Sequence, residues 1–259
     1  MLTLRNQVFL PLLETCAFQK AELTRALLTD GLPLESNVQL PEPTGIPGRP
    51  AKPELVGHIV MKQRSIRTLE GRAALIHSLA HIELNAIDLA LDVVWRFARM
   101  PDDFYRQWLN VAQEEAFHFQ LLRGHLCSLG YDYGSFPAHM ALWEMAERTK
   151  YDVLARIALV PRTLEARGLD ASPLVKAKLV DAGDDRAGEI LDVILRDEIG
   201  HVAVGNYWYR WLCKQRGLDE ISAYQQLVEK YHAPKPRGPF NFDGRRAAGF
   251  SEEELKSLT

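Results

Sequence analysis

Cysteine is scarce in this chain: three residues, Cys16, Cys127 and Cys213, among 259, with no Cys-x-x-Cys pair. An odd, scattered set excludes a disulfide framework, makes these thiols poor metal ligands, and fits a reducing compartment. Long apolar runs are also missing, and none approaches the roughly 20 uninterrupted residues of a membrane span. The opening stretch, MLTLRNQVFLPLLETCAFQ, lacks the basic region, apolar core and small-residue cleavage site of an export signal. The expectation is a cytoplasmic protein with no membrane partner. Charge is nearly balanced, with a net −3 and a pI near 6.3, so nothing global demands a nucleic acid or an anionic surface. No flavin or nicotinamide fingerprint occurs, and no strand pattern of any length.

What is present is ordinary globular composition, 47% apolar and 25% charged, and enough chain for one large helical domain with extensions. Residues 5–28 have helical periodicity through Val8, Phe9, Leu12, Leu13, Leu23 and Leu27, with a kink expected near Pro11. A connector follows in which Pro33, Pro41, Pro43, Pro47, Pro50 and Pro53 exclude a regular helix or central strand. Long helices are predicted over residues 69–99, 101–130 and 184–215, the last stopped by Gly217. A further helical stretch is predicted over residues 139–167, kinked at Pro161 and ended by Gly168, with Ser172-Pro173 opening a short connecting helix. A last helix covers residues 219–231. The fold class is therefore all-α: a four-helix bundle with extra N- and C-terminal helices. It divides into an N-terminal helix and connector (1–57), the bundle (58–232) and a Pro- and Arg-rich tail packing on it (233–259).

The chemistry-bearing pattern is a double one. Glu115–His118 and Glu198–His201 are Glu-x-x-His pairs on apolar helical stretches. Lone Glu83 and Glu165 precede them by 32 and 33 residues. A four-helix bundle supplies six ligands to two metal ions in this way, one Glu from each of two helices and Glu-x-x-His from each of the other two. One Glu-x-x-His pair is weak, because about one is expected by chance. A third, Glu229–His232, lacks a matching lone Glu and is assigned to chance. The competing reading is two core histidines, each hydrogen-bonded to a neighbouring Glu. The ordered set of four elements, with each acid in an apolar setting, favours ligation.

Asp197 and Glu114 immediately precede the two Glu ligands. The preceding acid can reach a ligand histidine and accept its other ring N–H, Asp197 for His118 and Glu114 for His201. His77 and His81 are spaced like a metal-binding pair, but His81 points about 160° away from Glu83 around the helix. Both are read as packing or hydrogen-bonding residues, and His125 as structural. His139 either faces a channel or caps a helix. The aromatic stripe Tyr207, Trp208, Tyr209 and Trp211 is read as core rather than as an electron route.

Six segments carry a resemblance along nearly the whole chain: HSLAHIELNAIDLALD (77–92), EEAFHFQLL (114–122), YGSFPAH (133–139), LVPRTLEARGLD (159–170), LRDEIGHVAVG (195–205) and PFNFDGRRAAGF (239–250). With these the chain resembles the uncharacterised ferritin-like family catalogued as domain of unknown function four-five-five, and more distantly a bacterial tRNA hydroxylase. The resemblance implies a ferritin-like fold and a di-iron-type site at Glu83, Glu115, His118, Glu165, Glu198 and His201. It supplies no substrate. The leading expectation is an O₂-dependent hydroxylase holding two Fe ions, with Mn/Fe or Mn as alternatives, and drawing on an external electron donor. A ferroxidase or metal-storage protein is the second reading. A tRNA-modifying hydroxylase is the third, in which Lys230, Lys235, Arg237, Arg245 and Arg246 beside Phe240 and Phe242 would meet RNA. A tail docked on the protein itself is favoured over that role.

Overall fold

The computed structural model describes residues 1–56, 64–139 and 141–258. The boundary expected between residues 57 and 58 lies outside the described residues, as do residue 140 of the predicted third helical stretch and the last residue of the tail. Among the described residues the chain is mostly helical and has no strand. An isolated parallel bridge joins Leu55 to Ala138. Two compact units form, one from Met1–Ala141 with Ala182–Ile190, the other from Leu142–Asp181 with Leu191–Thr259.

The first unit is built on α3 (Leu69–Arg96) and α4 (Asp102–Ser128), which pack along their lengths. Thr68 caps α3 by accepting the Gly71 N–H, and Asp102 and Asp103 favour the N-terminal dipole of α4. By length and composition α3 could cross a bilayer, but 72% of its most apolar stretch is buried inside the protein.

The predicted helix over residues 5–28 is in fact two, α1 (Phe9–Leu13) and α2 (Ala17–Arg25). Pro11 lies inside α1, and the break comes later. The Glu14 backbone is extended, and its carboxylate accepts the Cys16 N–H at 2.7 Å, closing a local turn in place of a helical bond.

Buried charges tie this N-terminal region to α3. Arg5 is 1% exposed; its Nε donates to the Val94 carbonyl at 3.2 Å and its Nη2 to the Trp95 carbonyl at 2.6 Å. Those carbonyls belong to the last turn of α3, where no helical partner exists and a cation is favoured. Arg5 Nη1 reaches back to the connector at the Val38 carbonyl, 2.5 Å away. Lys20, fully buried, bonds the Gly48 carbonyl at 3.0 Å and pairs with Asp88 of α3.

In the second unit α5 (Ala141–Arg148) and α6 (Val153–Leu159) lead into a π-helical turn, Val160–Glu165. Pro161 lacks an N–H and crowds the carbonyl of the preceding turn, so the helix widens. Thr163 compensates by donating its hydroxyl to the Ala158 carbonyl at 2.7 Å. α7 then runs Ala166–Asp181, straight through Gly168 and Pro173. The predicted stop at Gly168 and new helix at Pro173 are therefore wrong. Pro173 leaves the Leu169 carbonyl without its helical donor, and the Asn241 side chain takes that place at 3.1 Å.

α8 (Asp185–Arg216) begins within the first unit's short segment and continues into the second. Gly205 on α8 has Pro161 so close that an added Cβ would meet the proline ring at 3.0 Å. After α9 (Glu220–Lys230) the tail forms α10 (Phe242–Ala247) and α11 (Glu252–Lys256). It docks through the buried pair Arg245–Asp170, at 2.6 Å, and through Asn206 Nδ2 on the Ala248 carbonyl, at 2.8 Å. Arg245 is thus interior, and Arg246 is held by Glu252 and Asp243.

Replacing Arg5 by Met leaves the α3 carbonyls buried without donors. The expected loss is about 2–4 kcal/mol, since hydrogen bonds to a charged group contribute ~1.5–3 kcal/mol each. Urea denaturation measures it, and an unchanged midpoint contradicts the anchoring role.

Candidate metal centre

Each unit holds one of the two sequence-predicted sets, a lone Glu with a Glu-x-x-His pair. In the first, helical spacing sets Glu115 and His118 on one face of α4, and α3 brings Glu83 alongside. Glu83 is 5% exposed, and Glu115 and His118 are fully buried. His118 Nδ1 lies 3.4 Å from Glu83 Oε2 and 3.5 Å from Glu115 Oε2. One donor atom from each of the three lies within 4.8 Å of the others. Two ligands about 2.1 Å from one ion, at tetrahedral or octahedral angles, stand ~3.0–3.4 Å apart, and this spacing is compatible with ligation of a common cation. Glu83 Oε2 is buried with no hydrogen bond of ordinary geometry.

The electrostatics agree. Burial, then the neighbouring Glu115 carboxylate, pushes the Glu83 carboxyl well above the usual range. Burial opposes charge on His118, but Glu115 and Glu83 outweigh it and raise the imidazole to about 11. The cluster therefore favours added positive charge and could hold a metal ion. Two carboxylates with one imidazole suit hard or borderline cations such as iron and manganese.

In the second unit α8 carries Glu198 and His201, 8% and 1% exposed, with His201 Nδ1 3.8 Å from Glu198 Oε1. Glu165 is the half-buried last residue of the π turn. Gly205 admits that turn against α8, one helical turn beyond His201. Kinks of this type recur at functional sites, and Pro161 was the sequence's sign of it.

Asp197 is mostly buried and held by Arg196 at 2.8 Å, and Glu114 is exposed. Glu229 and His232 are both exposed. His81 uses both ring nitrogens, with Tyr133 Oη at 2.7 Å and the His139 carbonyl at 2.8 Å. His77 Nε2 accepts the Gly134 N–H at 2.9 Å. Burial lowers both histidines to about 4, so they are neutral hydrogen-bonding residues tying loop 131–139 to α3. His125 faces Asp184 at 2.9 Å, a partner that nothing in the spacing announced.

A raised carboxyl is protonated more readily in the folded chain than in the unfolded one. The contribution of Glu83 is thus present below pH ~4.5 and is lost as pH rises through its elevated folded value. Glu115→Gln removes the like charge beside it. The metal-free variant is expected to be more stable than the parent by about 1–2 kcal/mol at pH 8, with a smaller gain at pH 5, while binding metal far more weakly. Thermal melts at both pH values check this; a gain that does not grow with pH counts against a repulsive acid pair.

Residues 13–256 match the family model described as protein of unknown function (DUF455). An uncharacterised protein of Haemophilus influenzae is 46% identical over 250 residues, covering 92% of this chain and 87% of the relative. No solved structure matches. The match spans nearly the whole chain, which therefore belongs to the DUF455 family of proteins of unknown function.

Proposed function

We propose that this protein is a di-iron, O₂-dependent oxidoreductase of hydroxylase type on a ferritin-like four-helix bundle. The observation that carries the reading is the buried Glu83–Glu115–His118 cluster, whose spacing and charge demand suit a metal ion. Its counterpart in the second unit, Glu165 with Glu198 and His201, repeats the donor types in the same chain order. One triad offers three donors to one ion. Two triads facing one another would complete the six-ligand set of carboxylate-bridged proteins.

In this reading Glu83, Glu115 and His118 of the first unit and Glu165, Glu198 and His201 of the second would hold the two ions. Iron bound there supplies the redox chemistry with dioxygen, with electrons from an external donor. The chain's own part is to bind, orient and exclude water. Apolar residues flank the acids, with Leu79 and Ile87 on α3 and Ala112 and Phe119 on α4. Their low polarity keeps the carboxylates from being solvated and directs them to the metal. The π turn, an irregularity that recurs at functional sites, ends in Glu165.

Anaerobic loading with Fe(II) is expected to give about two irons per chain, and Glu115→Ala or His201→Ala to reduce this to one or fewer. Oxygen exposure should then oxidise the bound pair and stop until a reductant is added. Continued uptake of iron into a ferric mineral, in cage-sized particles, would instead establish the storage reading. Loss of salt-sensitive tRNA binding on removal of residues 234–259 would bring RNA in as the substrate.

A further inference from the structure

The second unit contains a cavity of about 870 Å³ that no part of the metal reading uses. Pockets that take small organic ligands fall in the range of roughly 300–1,000 Å³. Its inner wall carries Arg162, Thr163 and Arg245, all buried, and its outer part Gln225, His232 and Lys235, all exposed. Tyr224, Val228, Phe250 and Leu258 supply apolar and aromatic surface between them.

The two arginines are the informative residues. Arg162 is 4% exposed; its Nε donates to Asn206 Oδ1 at 2.8 Å and its Nη2 pairs with Glu254. Arg245 is 3% exposed; its Nε and Nη2 hold Asp170 at 3.0 and 2.6 Å. Each guanidinium is clamped by aromatic faces. Arg162 lies over Tyr209, Tyr224 and Phe250 at 4.5, 4.7 and 5.1 Å, and Arg245 over Phe250 at 5.2 Å. Stacked and doubly bonded, neither head can turn. Among the described residues neither Nη1 has a hydrogen-bond acceptor, and neither is sealed from solvent. Two fixed arginines, each paired with one carboxylate through Nη2, therefore border one cavity with Nη1 left over, and the lining also holds Lys235 and the acids Glu229 and Glu254.

We propose that this cavity is a binding site for a small organic anion, a carboxylate or phosphate monoester on an apolar or aromatic body. The anionic head is taken by Nη1 of Arg162 and Arg245, and the body lies against Tyr224, Val228 and Phe250. Arginine's planar head matches both oxyanions. Arg162 and Thr163 belong to the same π turn that ends in Glu165, so an occupant would press on the segment carrying a proposed metal ligand. The site stands on its own geometry and does not require the metal reading.

Fluorescence titration of the full chain with 8-anilinonaphthalene-1-sulfonate and with N-phenyl-1-naphthylamine tests it. The two dyes share their rings, and only the first carries an anion. The sulfonate is expected to bind at one site per chain and at least tenfold more tightly than the amine. Val228→Trp should fill the cavity and abolish that binding, and Lys235→Glu should weaken it severalfold. Circular dichroism melts within a few degrees of the parent show that both variants fold. Displacement by 1-naphthoate and by 1-naphthyl phosphate then identifies the head group, the tighter competitor naming the class. Equal affinity for the two dyes, sulfonate binding that survives in folded Val228→Trp, or failure of both competitors to displace it would each overturn the proposal.

Discussion

Two buried carboxylates around one imidazole are the constraint on which the first unit turns. Glu83 and Glu115 stand in an apolar interior where neither can be solvated, and each raises the cost of charging the other. His118 between them answers part of that demand by holding a proton tightly. A sequence selected for stability alone would place leucine or methionine there, since well-packed apolar residues usually serve a core better than buried ions do. The arrangement makes physical sense when a cation completes it.

That cluster needs α3 and α4 fixed in register, and much of the surrounding polar chemistry does this work. Arg5 gathers the last carbonyls of α3, and Lys20 grips Asp88 at its middle. His77, His81 and Tyr133 tie the loop after α4 to α3. In the second unit Arg245, Asp170 and Asn241 bind the tail to α7 and repair the carbonyl that Pro173 leaves open. Buried polar groups in both units are thus spent on holding backbone segments, which is what a site with sub-ångström tolerances requires.

The long helices were legible because their apolar residues repeat with the helical period and some ends carry clear signals: the Asp102–Asp103 pair and Gly217. The three donors of the first triad were legible because an acid flanked by apolar residues one turn away on either side has few structural uses. Local signals misled where a distant residue compensated. Gly168 and Pro173 read as a helix end, but Asn241, about 70 residues later, supplies the missing donor. Pro161 announced a kink, though not that the kink would be a π turn closed by the Thr163 hydroxyl. The cavity floor was invisible to pattern reading, since Arg162 and Arg245 lie far apart in sequence, and Arg245 read only as one member of a basic tail docked on the protein.

In the proposed centre the two Glu and Glu-x-x-His sets act together on one pair of ions. X-ray absorption at the iron edge of the Fe-loaded protein tests this most directly. An iron–iron scattering path at ~3–4 Å, the separation typical of two-metal sites, is the expected result, with mixed oxygen and imidazole ligation. Spectra with the same ligation and full loading but no iron–iron path would mean that each triad binds its own ion separately, and would contradict the dinuclear centre.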